Sequence, residues 1–338
     1  MSSSASTPAR RSSGLLQFVA AAVISVVLVT LLLREVGAGA VLDTLQGVWV
    51  PGLVAGVLAF AVMTAARVVR YRVLLESRPD TWPLVLVTLV RNMAGDLLPT
   101  RLGTLVYVWL INRRLAVPLE DAFASFFLAL VLDMVAIAPM LLGALLIVGL
   151  GWQSAGALAV LALALLGAAV MALFLLAPGL RFAGRFAGIA LPRATRLRSL
   201  ADDTAAQVDA VRARGALGPA LALSFVVRIS KFGAHYLILQ SVLVPLGVSW
   251  GALGFLESFL GVAGAELSSM LPIAGIGGFG SWEAAFAFGF TQLGLTFEQA
   301  VLAGFSTHVL SQIHDYGLGV IALLLVWWPS RRGRQSVS

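Results

Sequence analysis

The chain has 338 residues, of which 59% are hydrophobic and only 12% are charged. A soluble domain has about 25% charged residues, so this composition excludes an ordinary soluble enzyme, a disordered protein and a coiled coil. The apolar residues form continuous runs, which excludes a transmembrane β-barrel because its strands alternate between apolar and polar positions. The sequence therefore predicts an all-α, polytopic membrane protein, since a bilayer admits only helices or closed barrels.

The polar composition narrows the function classes further. The chain has no cysteine and only three histidines, so we expect neither a cofactor nor a metal site. Its formal net charge is +7. In a membrane protein, basic residues fix the orientation in the bilayer, and we therefore expect membrane lipids rather than nucleic acid as partners.

Six apolar runs are long enough to cross the roughly 30 Å hydrocarbon core of a bilayer. The first, 15–33, follows segment 1–14, which we expect to be disordered and cytoplasmic. This run is longer than a signal-peptide core of about 7–15 residues and is followed by Arg34 and Glu35, so we interpret it as a retained helix. The other predicted spans are residues 50–73, 122–149, 155–177, 216–243 and 299–328.

Two further apolar stretches, 83–111 and 252–294, are broken by polar residues, proline and glycine. Each half of the first is about 14 residues, or ~21 Å as a helix, which is too short to cross. We therefore predict two re-entrant helical hairpins, each of which enters and leaves on one side. The predicted tips comprise Asp96, Pro99 and Thr100 in the first hairpin, and Pro272, Gly277, Gly278, Gly280 and Glu283 in the second.

A new half-helix is expected after each tip, with Thr100 and Ser281 as N-caps. The free N–H groups and the positive end of the helix dipole suit an anionic group such as a phosphate. Glu283 in the first turn of the second half-helix weakens this expectation there. Its carboxylate either completes the cap or accepts a proton.

The distribution of basic residues agrees with this arrangement. With the N-terminus inside, 18 of the 23 Lys and Arg residues lie in cytoplasmic segments, including the tail 329–338. We expect the cell membrane as the location, with both termini cytoplasmic. Segments 15–150 and 151–328 then have the same order of elements in opposite orientation, which defines an inverted-topology repeat. Residues 67–71 resemble 228–232, although a chance match is an open alternative.

The linker between the halves, 178–215, carries seven arginines together with Phe182 and Phe186. We interpret it as a cytoplasmic, partly interfacial helical segment that contacts anionic headgroups. A role in recruiting another molecule is the alternative.

Ionisable residues inside apolar segments are candidates for function, because each costs about 2.5–3.5 kcal/mol at a helix centre. Arg228, Lys231 and His235 have i, i+3, i+7 spacing and share one helix face. Arg67 and Arg70 have the same i, i+3 relation, although anchoring at the inner surface is an alternative for these two. The predicted lipid-phosphate site comprises Arg67, Arg70, Arg101, Arg228, Lys231 and His235.

Three further polar residues, Asp133, His308 and Asp315, lie within predicted spans. Intramembrane Asp and His residues are typical of proton-coupled transporters. The alternative is interhelical hydrogen bonding, worth about 0.6 kcal/mol per contact.

Four motifs, in this order, resemble the flippase-like family that shares the transmembrane region of lysylphosphatidylglycerol synthases. They are residues 67–75, residues 92–103, Asp133, and residues 271–283, which end in Gly-Gly-Phe-Gly-Ser-Trp-Glu. The resemblance implies an integral membrane protein with paired re-entrant hairpins. It also implies movement of a lipid or a lipid-linked headgroup between leaflets.

The chain departs from the family pattern at four charged positions. Thr104 and Tyr107 stand where the family commonly has Glu and Arg. Leu130 and His308 stand where it often has Arg. The joint loss of an acid and a base suggests a missing ion pair, which bears on the specificity for the headgroup.

We therefore expect a flippase-like transporter of a phospholipid or a lipid-linked anionic headgroup. We expect no synthase activity, because the chain ends at Ser338 without a soluble domain. Two alternatives stay open, a secondary transporter of a small polar solute and an intramembrane lipid-modifying enzyme with an acid–base pair. The sequence is compatible with a homo-oligomer.

Overall fold

The computed structural model describes residues 12–97, 103, 105–148, 152–190, 195–268 and 276–327. These residues form twelve α-helices and include no β-strand, as the apolar runs predicted. The helices are α1 (Ser12–Val36), α2 (Ala38–Gln46), α3 (Val50–Leu74), α4 (Thr81–Leu97), α5 (Val106–Leu115), α6 (Leu119–Val148), α7 (Trp152–Ala190), α8 (Thr195–Ala213), α9 (Leu217–Leu243), α10 (Phe255–Ser268), α11 (Ser281–Gln292) and α12 (Phe297–Trp327).

Five helices are long and apolar enough to cross a membrane: α3, α6, α9, α12 and the Leu163–Ala187 part of α7. A sixth span results if Ser25–Val36 and Ala38–Gln46 are counted as one broken helix, with a bend of 76° between them. The break falls at Gly37, whose φ of 81° suits glycine. A multi-pass, all-helical membrane protein is therefore confirmed.

The first part of the predicted linker 178–215 continues the preceding helix. The helix that contains the 155–177 run continues through Pro178 to Ala190, because a transmembrane helix tolerates the single hydrogen bond that proline removes. Helix α8 then folds back on α7, where Arg181 and Asp209 form an ion pair of 2.5 Å. Phe182 and Phe186 are exposed on the extended part of α7.

Helices α3 and α9 pack antiparallel and form the largest helix–helix interface among the described residues. A Cβ atom at Gly56 of α3 would lie 2.7 Å from Cγ1 of Ile238 on α9. At the other end of the pair, Arg70 donates to Oγ of Ser224 at 2.8 Å. Small residues allow such close backbone approach between membrane helices.

The short helices α4 and α5 contact each other, and they leave from and return to the same end of the bundle. Asp121 at the start of α6 accepts hydrogen bonds from the backbone N–H groups of Glu76 and Ser77 (3.2 and 3.4 Å), just after α3. The end of α3 and the start of α6 therefore lie together, with α4 and α5 between them in sequence.

Helices α10 and α11 repeat this arrangement at the opposite end of the antiparallel α3–α9 pair. They contact each other, and Gln299 in α12 donates to the carbonyl of Leu246 after α9 at 3.2 Å. These contacts agree with the predicted insertion of both helix pairs into a bilayer and with the predicted inverted repeat. Both stay predictions.

Two clusters of buried apolar side chains make up the core of the bundle, and both include parts of α3, α6 and α9. The boundary between them crosses α3 at Arg67, α6 beside Asp133 and α9 near Ser224. A polar layer therefore divides the apolar core, and it contains most of the predicted site.

Candidate anion-binding site

Asp133 is the centre of the polar layer, because it joins the antiparallel helices α3 and α9 to α6. Arg70 of α3 and Arg228 of α9 both bind its carboxylate, the latter with a distance of 2.9 Å between Nη2 and Oδ2. Asp133 is the fifteenth of the thirty residues of α6. If α6 crosses the bilayer, this ion-pair network therefore lies near the middle of the membrane.

Arg67 and Arg91 meet at a second polar centre, Asn92 on α4. Arg67 donates from Nη1 to Oδ1 of Asn92, and Nη1 of Arg91 lies 3.4 Å from the same oxygen. Met63 supplies a sulfur 3.7 Å from Nη2 of Arg67. Two guanidiniums thus share a neutral carboxamide here, whereas two others share a carboxylate at Asp133.

These contacts argue against the alternative that Arg67 and Arg70 anchor α3 at the inner membrane surface. A residue that anchors a helix at the inner surface has a side chain that reaches the interface. Arg67 is only 7% exposed and Arg70 is fully buried, and both hydrogen-bond inside the bundle. The two residues therefore do not belong to the cytoplasmic count of basic residues.

Several buried donors of this layer lack hydrogen-bond partners among the described residues. A buried polar atom without a partner costs free energy, and such atoms in one layer suit a polar ligand. They are Nε of Arg67, Nε and Nη2 of Arg70, the hydroxyl of Tyr71, Nε of Arg91, Nδ2 of Asn92 and Nε of Arg228.

The rest of the predicted basic face of α9 also points into the bundle, but its charge is neutralised. Lys231 forms an ion pair with Glu266 of α10. His235 is buried, with Nδ1 2.9 Å from the carbonyl of Lys231, and its ring packs edge-on against Phe60. The three side chains therefore do lie on one inward face of α9, and Arg228 is the one of them that reaches the polar layer.

The described part of the second hairpin tip is held by Glu283 and His308. Helix α11 begins at Ser281 after a turn in which Gly277, Gly278 and Gly280 all have positive φ. The N-cap is Gly280 rather than the predicted Ser281, because the carboxylate of Glu283 accepts from the Gly280 N–H at 2.6 Å. The first of the two expected roles for Glu283, completion of the cap, is the one found.

The other oxygen of the Glu283 carboxylate lies 2.5 Å from Nδ1 of His308. The amide of Gln312 lies 2.9 Å from the second ring nitrogen of His308 and 3.3 Å from the carbonyl of Gly277. Helix α12 therefore binds the tip through two polar side chains. His308 fills the position at which the resemblance gives the family an arginine.

Asp133, His308 and Asp315 have separate partners in the structure. Asp315 lies 3.0 Å from the ring of its neighbour His314 and within hydrogen-bonding range of Asp96, and His314 stacks on Phe60. Because two guanidiniums hold the carboxylate of Asp133, its geometry favours a permanent counter-ion over a proton carrier. Proton coupling through His308 or Asp315 stays a prediction.

Two of the departures from the family pattern have a structural account. Tyr107 is fully buried, stacks on Tyr71 with ring centroids 4.2 Å apart and hydrogen-bonds to Ser125 at 3.0 Å. A neutral, satisfied side chain therefore occupies this position. Leu130 is 46% exposed on α6, so it lies outside the polar layer.

Some predicted site residues lie outside the described residues. They are Pro99, Thr100, Arg101, Thr104 and Pro272. The same holds for most of segment 1–14 and for the tail 329–338.

Sequence reasoning missed Asn92 and Ser224 as parts of the site. Both are neutral residues, so the cost of burying charge did not single them out. Their importance follows from contacts with Arg67 and Arg70, which join helices far apart in sequence.

A bundle of helices long and apolar enough to span a membrane, with a charged layer level with the midpoint of α6, defines a polytopic integral membrane protein. Comparison with family models identifies the group. The chain belongs to the family described as the lysylphosphatidylglycerol synthase TM region, whose model matches residues 18–319. Membership relates the protein to lipid handling in membranes. Comparisons with curated proteins and with solved structures found no match.

Proposed function

We propose that the protein moves a phospholipid or a lipid-linked headgroup between leaflets, with the anionic group bound in the polar layer. The observation that carries the proposal is the cluster of buried arginines level with the midpoint of α6. Arg70 and Arg228 share the carboxylate of Asp133, whereas Arg67 binds the neutral Asn92, so these three arginines carry a positive excess over Asp133. A buried positive excess is stabilised by a bound anion.

The register of α3 and α9 supports an alternating mechanism. Gly56 meets Ile238 and Arg70 meets Ser224, and interpolation along the antiparallel pair places Arg67 level with Val227. Residues 67–71 and 228–232 are also the segments that resemble each other. The two similar segments therefore meet at one point, which is what a two-fold axis between inverted repeats would produce, and substrate sites in such proteins lie at the repeat interface.

The two helix pairs supply the access routes in this proposal. The α4–α5 pair and the α10–α11 pair start from opposite ends of the α3–α9 pair, and α4 contacts the turn at Ile276–Gly278. Movement of one pair relative to the other would expose the polar layer to one leaflet at a time. The acyl chains would stay in the surrounding lipid, and the location would be the cell membrane.

Reconstitution tests the proposal. Purified protein in liposomes that contain acyl-labelled phosphatidylglycerol is expected to make inner-leaflet label accessible to an impermeant quencher. Arg67→Gln is the informative variant, because the partner of Arg67 is neutral and its loss leaves no orphaned carboxylate. Arg198→Gln on the exposed linker is the matched control. Equal movement with Arg67→Gln and with the wild type would contradict the proposal.

Two added measurements separate the alternatives. Uptake of inorganic phosphate into the same liposomes, without movement of labelled lipid, would favour a transporter of a small solute. Chemically altered lipid in cells that overproduce the protein would favour an enzyme. The proposal expects neither result.

A further inference from the structure

The polar layer contains two centres of the same design and different charge. At Asp133, a carboxylate forms ion pairs with Arg70 and Arg228. At Asn92, a carboxamide oxygen accepts from Arg67 and Arg91. Asparagine and aspartate have nearly the same shape, so the two centres differ chiefly by one negative charge.

The two halves also differ in the partner that the short helix offers to a basic residue. Arg67 of α3 binds α4 through Asn92, and Lys231 of α9 binds α10 through Glu266. The basic residue of the second half thus has an acidic partner on its short helix, and that of the first half has a neutral one. Among the described residues, neither Arg67 nor Arg91 therefore forms an ion pair with a carboxylate, and both bind the neutral Asn92 instead.

Asn92 is buried at the contact between two arginines, where a neutral side chain is energetically unfavourable. Its side chain is only 6% exposed, and its Nδ2 has no partner among the described residues. A buried carboxamide with one unpaired end costs free energy. An aspartate in its place would gain two ion pairs, and arginine keeps its charge in proteins. The protein with asparagine at position 92 is therefore expected to be less stable than one with aspartate there, because two cations meet at this position.

We propose that Asn92 is the specificity-determining residue of the polar layer: its neutrality leaves Arg67 and Arg91 free to take a phosphate anion, and its Nδ2 is a further donor to that anion. This inference rests on the proposed function and names the place where the anion binds. The carboxylates of Asp133 and Asp315, which interact with the charge of Arg67, have partners of their own, and so does Asp96 on the same helix as Asn92.

Asn92→Asp is the decisive variant, since it supplies the missing charge with almost no change of shape. The purified full-length protein in detergent is expected to melt at the wild-type temperature or above it. Its stabilisation by added phosphatidylglycerol is expected to weaken at least about tenfold in apparent affinity, because like charges placed together repel strongly. A lower melting temperature would mean that another group already neutralises the two arginines, and this would overturn the proposal.

Two further variants separate the effect of charge at position 92 from the loss of the amide and from the same substitution elsewhere. Asn92→Ser removes the amide but keeps the site neutral, and we expect it to weaken binding much less than Asn92→Asp. Asn112→Asp makes the same chemical change at the end of α5, where the amide donates to the carbonyl of Val117, and we expect phosphatidylglycerol to bind as in the wild type. Equal binding by Asn92→Asp and the wild type would also overturn the proposal.

The outcomes distinguish this inference from the proposed function. If the wild-type protein moves labelled phosphatidylglycerol and Asn92→Asp moves it equally well, only the inference fails. If the wild type neither binds nor moves the lipid, the proposed function fails first. Titration with inorganic phosphate separates a lipid headgroup from a free anion, because stabilisation by phosphate alone, with no response to phosphatidylglycerol, would indicate a soluble ligand.

Discussion

The carboxylate of Asp133 forms an ion pair with the guanidinium of Arg228, with 2.9 Å between Oδ2 and Nη2, and this contact links the two halves of the chain. The same carboxylate binds Arg70 of α3. One acidic side chain on α6 therefore fixes the position of α3 relative to α9 at the level of the polar layer. Arg70 adds a direct contact across the same interface through Ser224.

Loss of the charge at Asp133 is expected to destabilise the bundle. Asp133→Asn leaves two buried guanidiniums without a counter-ion, and breaking a buried pair in this way costs about 3–5 kcal/mol. Unfolding of the purified protein in mixed micelles, followed by circular dichroism, measures the change. Asp209→Asn, which removes the partner of the half-exposed Arg181, is the control and should cost less than about 1 kcal/mol. Similar losses in both variants would argue against a central role for Asp133.

Close approach of α3 and α9 is expected to depend on Gly56. In Gly56→Ala the added Cβ atom would lie 2.7 Å from Ile238 and 3.2 Å from the carbonyl of Ala234, so we expect a loss of about 1–3 kcal/mol from overpacking. Gly233→Ala on α9 is the matched control, because a Cβ atom there meets nothing within 4 Å. Alanine favours the helix over glycine, so the control should be neutral or stabilising. The melting temperatures of the two variants give the comparison.

The turn before α11 is expected to loosen when its acidic anchor is neutralised. Glu283→Gln weakens both the cap on Gly280 and the contact with His308, and charge-assisted hydrogen bonds are worth roughly twice neutral ones. Hydrogen–deuterium exchange of a peptide that contains Gly277–Gly280 should become faster, while exchange in α3 stays unchanged. Glu298→Gln, at the exposed start of α12, is the control. Unchanged protection of the peptide in Glu283→Gln would show that the carboxylate does not hold the turn.

The absence of cysteine from the sequence permits a direct test of the two predicted hairpins. Asp80→Cys and Arg113→Cys flank the first helix pair, and Ser249→Cys and Glu298→Cys flank the second; all four positions are exposed. In intact cells, an impermeant maleimide is expected to label the second pair of positions and to reach the first only after permeabilisation. If the two positions that flank one hairpin differ in accessibility, that segment crosses the membrane and the re-entrant prediction is wrong.

The helical class and the approximate spans could be predicted from the sequence, because burial in hydrocarbon demands long apolar runs and such runs are local in the chain. The 50–73 run became α3, and the 299–328 run became α12. The inward direction of Arg228, Lys231 and His235 could also be predicted, since i, i+3, i+7 spacing places residues on one helix face.

The tertiary structure alone decided which buried groups act together. Arg67 and Arg70 are three residues apart, yet one binds the neutral Asn92 and the other binds Asp133. Asp133 and His308, which looked alike as buried polar residues, belong to separate networks. The physical reason is that the apolar pattern sets only how deep a side chain lies, whereas its charge balance depends on the helix that packs against it.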